Sequence, residues 1–121
     1  MTAAVSFTVF GQPQGKQRPR LGVGGHVFTP TKTKRYEASV AWAATVCRPR
    51  AWSQTGPVCV RVSCFFADNR VHDVDNVLKC VMDGMKGVVY HDDTQVVSAQ
   101  VFKALDRLNP RIEVRVSRAE T

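Results

Sequence analysis

Residues 72–93 read His72-Asp-Val-Asp-Asn-Val-Leu-Lys-Cys-Val-Met-Asp-Gly-Met-Lys-Gly-Val-Val-Tyr-His-Asp-Asp93. The apolar residues Val74, Val77, Leu78, Val81, Met82 and Met85 follow the i, i+3, i+4, i+7, i+8, i+11 series of an amphipathic helix. Asp73 stands where an N-cap belongs, and Gly84 and Gly87 bracket the expected end. The opposite face carries Asp75, Asn76, Lys79, Asp83 and Lys86, with Asp75, Lys79 and Asp83 stacked along one ridge at i, i+4, i+8. A solvated, salt-bridged helix face accounts for that ridge taken alone. Asp73 at the helix mouth and the Asp92-Asp93 pair one short loop later turn the reading toward a site, where carboxylates and a lysine can converge.

Charge sets this segment apart from its surroundings. The 121-residue chain carries a formal net charge of +7. Residues 1–66 hold nine Lys/Arg against one acid, Glu37; residues 67–93 hold six acids against Arg70, Lys79 and Lys86; residues 94–121 hold five bases and three acids. An acidic knot in a basic chain suits a metal pocket set in a surface that attracts a polyanion.

The length suits one domain spanning residues 1–121. No apolar run approaches the roughly 20 residues of a membrane span, and no charged n-region precedes an apolar stretch. Cys47, Cys59, Cys64 and Cys80 form no Cys-x-x-Cys pair and have no histidine at zinc-finger spacing. Buried, reduced thiols in a cytoplasmic protein, without a membrane partner, are the expectation.

In chain order, Val5, Phe7 and Val9 alternate as a first strand, and Gly11–Gly25 breaks all periodicity. This flexible loop carries no acid, and its Lys16, Arg18 and Arg20 suit a phosphate backbone. A plain solubilising surface loop is the alternative. No Gly-Lys-Ser/Thr follows, so it is not a Walker loop. His26-Val27-Phe28 reads as a short strand, and a helix follows from about Lys32 to Cys47, capped by Thr31 or Thr33 and stopped at Arg48-Pro49. Its apolar face should carry Tyr36, Val40, Ala43, Ala44 and Cys47. Lys32, Lys34 and Arg35 crowd the first turn, where the helix dipole disfavours cations, which points to a use in meeting nucleic acid. Trp42 and Trp52 are expected to pack rather than to stack on bases. Val58–Phe66 alternates cleanly, Val96–Leu105 reads as a further strand, and Ile112, Val114 and Val116 alternate in a last one. The natural solution is an α/β (α+β) fold: a mixed sheet of four to five strands with two main helices packed on it.

The chemistry follows from the donors. Magnesium and manganese prefer oxygen ligands, and carboxylates bring both the oxygens and the balancing charge. Two aspartates one residue apart at a loop–helix junction can reach one ion, and a third from a separate loop closes the site. A lysine one turn beyond Asp75 can touch a non-bridging phosphate oxygen. His72 and His91 flank the acidic pairs and read as neighbours more than as proton shuttles.

The run Asp73-Val-Asp75-Asn76-Val-Leu-Lys79, with Asp83 and Val88-Val-Tyr-His-Asp92-Asp93-Thr-Gln-Val96, resembles the RusA family of Holliday junction resolvases of bacteria and their prophages. Gly15-Lys16-Gln17-Arg18-Pro19-Arg20, Phe28-Thr29-Pro30 and Tyr36-Glu37 resemble that family's N-terminal half, so the likeness spans about residues 5–116. The resemblance implies a homodimeric, Mg2+- or Mn2+-dependent endonuclease acting on four-way DNA junctions. Its catalytic carboxylates match Asp73, Asp75 and Asp93, with Asp92 beside them as a metal ligand, and its lysine matches Lys79. Two alternatives stay open: a metal-dependent nuclease on other branched DNA such as flaps or forks, and a non-catalytic DNA-binding module.

Overall fold

The computed structural model describes residues 4–17, 20–28 and 30–119, excepting the side chains of residues 20 and 28. Strand β1 (Ala4–Phe10) leads into a two-stranded ribbon, β2 (Arg20–Leu21) and β3 (Val27–Phe28), and then helix α1 (Thr31–Cys47). Strand β4 (Val58–Phe66), helix α2 (Val74–Met85), strand β5 (Val96–Leu105) and strand β6 (Arg111–Arg118) complete the order. The main sheet runs β1-β6-β4-β5; β4 and β5 are parallel and the other pairs antiparallel. This is the expected mixed sheet with two helices packed on it. The 26–28 strand joins the ribbon rather than the sheet, which therefore stays at four strands.

Alternation decides which face of the sheet is buried. Val58, Val60, Val62, Cys64 and Phe66 of β4 point inward, as do Val5, Phe7 and Val9 of β1 and Ile112, Val114 and Val116 of β6. Val77, Cys80, Val81 and Met85 close the core from α2, and Tyr36, Val40 and Ala44 from α1. Among the described residues, no helix is long and apolar enough to cross a membrane.

Helix α2 ends as its sequence demands. Asp73 caps it, Lys86 leaves the helix in an extended conformation, and Gly87 follows at φ 85°. Helix α1 departs from expectation in three ways. Pro30, not a threonine, stands at its N-cap with φ −56° and ψ 146°, and no side chain caps it. Thr33 is instead buried in the first turn, where its hydroxyl accepts a hydrogen bond from the Gln17 amide at 3.1 Å. Trp42 is 72% exposed, because it lies two residues from both Val40 and Ala44 and therefore on the far side of the wheel. Cys47 is exposed at the last position of α1, one turn beyond Ala44. Trp52 does pack: its Nε1 donates to the Val89 carbonyl at 2.8 Å and Arg118 stacks on its ring at 4.0 Å. All four thiols are free, with Cys64 and Cys80 buried as expected.

The two helices cross closely at Gly84. A Cβ there would lie 2.9 Å from the Glu37 carbonyl oxygen and 2.9 Å from Val40 Cβ. Alanine within a helix is ordinarily favoured over glycine by about 1 kcal/mol. Here the obstacle is the α1 backbone, which cannot yield without moving the helix, and overpacking of this kind costs roughly 1–3 kcal/mol. Gly84→Ala is therefore expected to lower stability in chemical denaturation. A midpoint equal to or above that of the parent would contradict this packing.

Candidate active site

The α2 N-terminus orders the first acidic pair. Asp73 Oδ1 accepts hydrogen bonds from the Asp75 amide at 3.0 Å and the Asn76 amide at 3.3 Å. That satisfies two of the helix's free N–H groups, and the dipole further favours carboxylates in this turn. No bond engages Asp73 Oδ2 among the described residues. Asp75 lies exposed in the first turn, and Lys79 lies exposed one turn on. Neither takes part in an ion pair among the described residues. The ridge is thus not the Asp75–Lys79–Asp83 ladder that spacing alone allows.

The second acidic pair sits on a firmly held loop. Gln95 Oε1 accepts from the His91 and Asp92 amides at 2.8 and 3.0 Å, and its Nε2 donates to the Gln54 and Gly56 carbonyls at 2.8 and 2.9 Å. Arg48 holds the Val88 carbonyl at 2.7 Å, and the buried Tyr90 donates its hydroxyl proton to the Met82 carbonyl at 2.7 Å. Asp92 has both oxygens engaged, one by Lys86 at 3.1 Å and one by the Thr94 hydroxyl at 2.8 Å, which holds its carboxyl below the usual range. Asp93 is exposed and in no ion pair among the described residues. Burial first, then the charges of Asp93, Asp83 and Asp92, push the Tyr90 hydroxyl pKa upward. The same three carboxylates raise the Lys86 pKa, Asp92 most.

Lys16 lies in a different setting from the phosphate contact its loop suggests. Its ammonium pairs with Asp83 and stands 3.8 Å from Glu37. Its backbone amide donates to the Asn76 carbonyl at 3.2 Å. Gly15 packs so tightly on the helix that an added Cβ would meet Asn76 Cβ at 3.1 Å. The hydrogen bond to Asp83 raises the Lys16 pKa, outweighing the effect of burial. Burial raises the Glu37 pKa more than Lys16 lowers it, and Asp83 adds to the rise. Burial, with Glu37 beside it, also pushes the Cys80 thiol up to about 12.

Of the remaining sequence candidates, Lys32, Lys34 and Arg35 are exposed on the first turn of α1, and Lys32 and Arg35 border a cavity of about 610 Å3 with Gln12 and Gln14. Arg18 lies outside the described residues, and Arg20 is described in its backbone only. His72 stacks on Phe66 at 4.0 Å and bonds Asp68 at 2.8 Å, a neighbour's role. Among the described residues, no three His, Cys, Asp or Glu side chains are gathered as a metal cluster. The donors are nonetheless the right ones for a hard divalent ion: the oxygen of Asp73 and the exposed carboxylates of Asp75 and Asp93 that no described residue engages. Sequence reasoning missed Gln95 and Glu37. An acid followed three residues later by glutamine is a recognisable helix-start pattern, and Glu37 is the one acid in the first 66 residues.

Comparison with known proteins adds two findings. A family model described as endodeoxyribonuclease RusA matches residues 11–117. The uncharacterized protein YqaN of Bacillus subtilis (strain 168) is 30% identical over 136 aligned positions, covering 93% of this chain and 94% of that protein.

The Lys16 cluster has a pH signature. Because the folded-state pKa of Glu37 is raised, the native state holds its proton more readily than the unfolded chain. Its contribution to stability therefore falls as pH rises from the ordinary carboxylate range through the folded value. Glu37→Gln escapes that loss, so the variant should melt above the parent at pH 8, with the difference vanishing at pH 4. A parent that is the more stable of the two at pH 8 would show instead that the Lys16 pairing outweighs desolvation.

Proposed function

Because the chain belongs to the RusA endodeoxyribonuclease family, we propose that it resolves four-way DNA junctions by paired, symmetric cleavage, with Asp73, Asp75, Lys79 and Asp93 as catalytic residues. The observation that carries this reading is the state of these four side chains. In a chain rich in cations, Asp75, Asp93 and Lys79 stay out of ion pairs among the described residues, and Asp73 keeps one oxygen free.

Asp73, Asp75 and Asp93 would hold Mg2+ or Mn2+, which when bound offsets charge on the scissile phosphate and lowers the pKa of an attacking water. Magnesium commonly takes only one or two carboxylates and completes its shell with water and phosphate oxygens, so a preformed three-carboxylate cage is not required. Asp92 would complete the ligand set where Lys86 is released from it; paired with Lys86, it steadies the loop that presents Asp93. Lys79 donates to a non-bridging phosphate oxygen as charge develops there. Lys32, Lys34 and Arg35, with Arg18 and Arg20, contact the DNA backbone. Lys16 serves them by holding the 11–17 loop to α2 through Asp83 and to α1 through Glu37.

Cleavage assays on junction, fork and duplex DNA, with and without magnesium, test the substrate and the metal together. Asp75→Asn should reduce junction cleavage roughly a hundredfold or more while leaving junction binding intact or tighter, since a negative charge beside phosphate is removed. Lys79→Ala should cut slowly at an unchanged melting temperature. Near-normal cleavage by Asp75→Asn would sink the assignment, and equal rates on junction and plain duplex would replace junction resolution by general nuclease action.

The working unit in this reading is a symmetric homodimer. One chain offers one such site, whereas resolving a junction needs two nicks related by its two-fold symmetry. Mixing active protein with excess Asp75→Asn should turn linear product from a supercoiled cruciform plasmid into open circles. Sedimentation as a monomer at concentrations that still give bilateral cutting would count against the dimer.

A further inference from the structure

The four strands bury one face of the sheet and leave the other open, and the open face has a charge pattern that folding alone does not explain. Register places Ser6 of β1, Arg115 of β6, Arg61 of β4 and Gln100 of β5 in one row across the whole sheet. Arg61 and Arg115 are direct cross-strand partners, so their Cα atoms lie about 5 Å apart. Like charges placed directly opposite destabilise a sheet. Neither arginine has an acidic partner among the described residues. The acid of the neighbouring row, Glu113, is held by Arg111 at 2.8 Å. Arg115 reaches only the Ser6 hydroxyl at 3.2 Å, and Arg61 lies over the exposed Phe102 ring at 4.8 Å. A groove of about 350 Å3 runs between the two arginines and the hydroxyls of Ser6, Thr8 and Ser63, with the Arg111-held Glu113 on its wall. A second, of about 220 Å3, continues on their other side past Ser98 and Ser117.

We infer that this open face binds single-stranded DNA, with Arg61 and Arg115 on its phosphates and the rings of Phe102 on the edge strand and Phe65 on β4 receiving its bases. Two adjacent guanidinium groups that no carboxylate pairs among the described residues complement a phosphodiester backbone. The hydroxyls lining the grooves supply further donors to phosphate oxygens. Arg61 on Phe102 and Arg111 on Phe65, the latter at 4.0 Å, form flat cation–aromatic surfaces. Such surfaces stack unpaired bases of any sequence. A duplex hides its base faces and would leave them unused. A second copy of the chain docked face to face would bring four unpaired arginines together, which charge opposes. The inference goes beyond the junction reading and does not rest on it, since none of Asp73, Asp75, Lys79 or Asp93 belongs to this face.

The experiment measures anisotropy of a labelled oligothymidylate with the full chain in EDTA, across a salt series, so that cleavage plays no part. Arg61→Gln/Arg115→Gln should bind roughly tenfold more weakly, with a salt slope shallower by about 1.4, the value for two phosphate contacts on a single strand. Phe102→Ala should weaken binding while leaving the slope unchanged. Arg61→Lys/Arg115→Lys should keep the slope of the parent, which separates lost charge from a damaged fold. Unchanged affinity and slope in the glutamine variant would overturn the inference. So would conversion of a dimeric parent into a monomer by the same substitutions, because the face would then join two copies. Failure of the active-site assignment shows in magnesium cleavage assays, and failure of this surface shows in oligothymidylate binding alone.

Discussion

The closeness of α2 to α1 at Gly84 is the constraint from which the local arrangement follows. With no side chain at that position, α2 rests on the Glu37 carbonyl and on Val40. The Glu37 carboxylate is thereby brought near Asp83 on the facing helix, whose charge makes that of Glu37 harder to keep in a half-buried place. A cation between them relieves the repulsion, and Lys16 supplies it from a chain segment more than sixty residues away from Asp83. Its loop must then lie flat on α2, which is why residue 15 has no room for a side chain against Asn76. One close helix contact thus fixes the position of an otherwise irregular basic loop.

The same helix organises the acids on its other flank. Its first turn holds Asp73 by two backbone amides, and Lys86, the residue just past its end, pairs with Asp92. The Asp92-Asp93 loop is tied to the Gln54–Gly56 segment by Gln95 and to α1's end by Arg48. Position here comes from hydrogen bonds to backbone on several sides, which resist the repulsion that several carboxylates around one helix generate. Asp75 and Asp93 are left without cationic partners among the described residues, although the chain has 17 Lys and Arg against 10 Asp and Glu. A folded protein with that surplus could neutralise them, and their freedom is the electrostatic feature that suits a divalent ion and a phosphate.

The surplus of positive charge is distributed in two regions. One lies on the first turn of α1, where Lys32, Lys34 and Arg35 are exposed beside an uncapped helix start. The other lies across the open face of the sheet, where alternation turns Arg61, Arg111 and Arg115 away from the core. The buried face tolerates no such charge, so strand periodicity alone forces these residues to one side.

The sequence by itself determined the elements and their inner faces. The helical spacing of Val74 to Met85, the cap at Asp73, and the alternation in β1, β4 and β6 are local signals, written in residues a few positions apart. They were read correctly because burial periodicity and capping depend on neighbours along the chain. The family likeness in the Asp73–Lys79 run was legible for the same reason. Trp42 was misplaced by weighing its hydrophobicity above its position on the helical wheel, and Thr33 by treating it as a cap when a buried hydroxyl bonded to Gln17 was needed. Tertiary structure alone decided the rest: that Lys16 answers Asp83 and Glu37, that Gln95 clamps the Asp93 loop, and that Arg61 stands opposite Arg115. Each of those pairings joins residues about 20 to 70 positions apart in sequence or depends on strand register. Electrostatic partners are chosen by distance in space, and no local pattern encodes which distant charge will arrive.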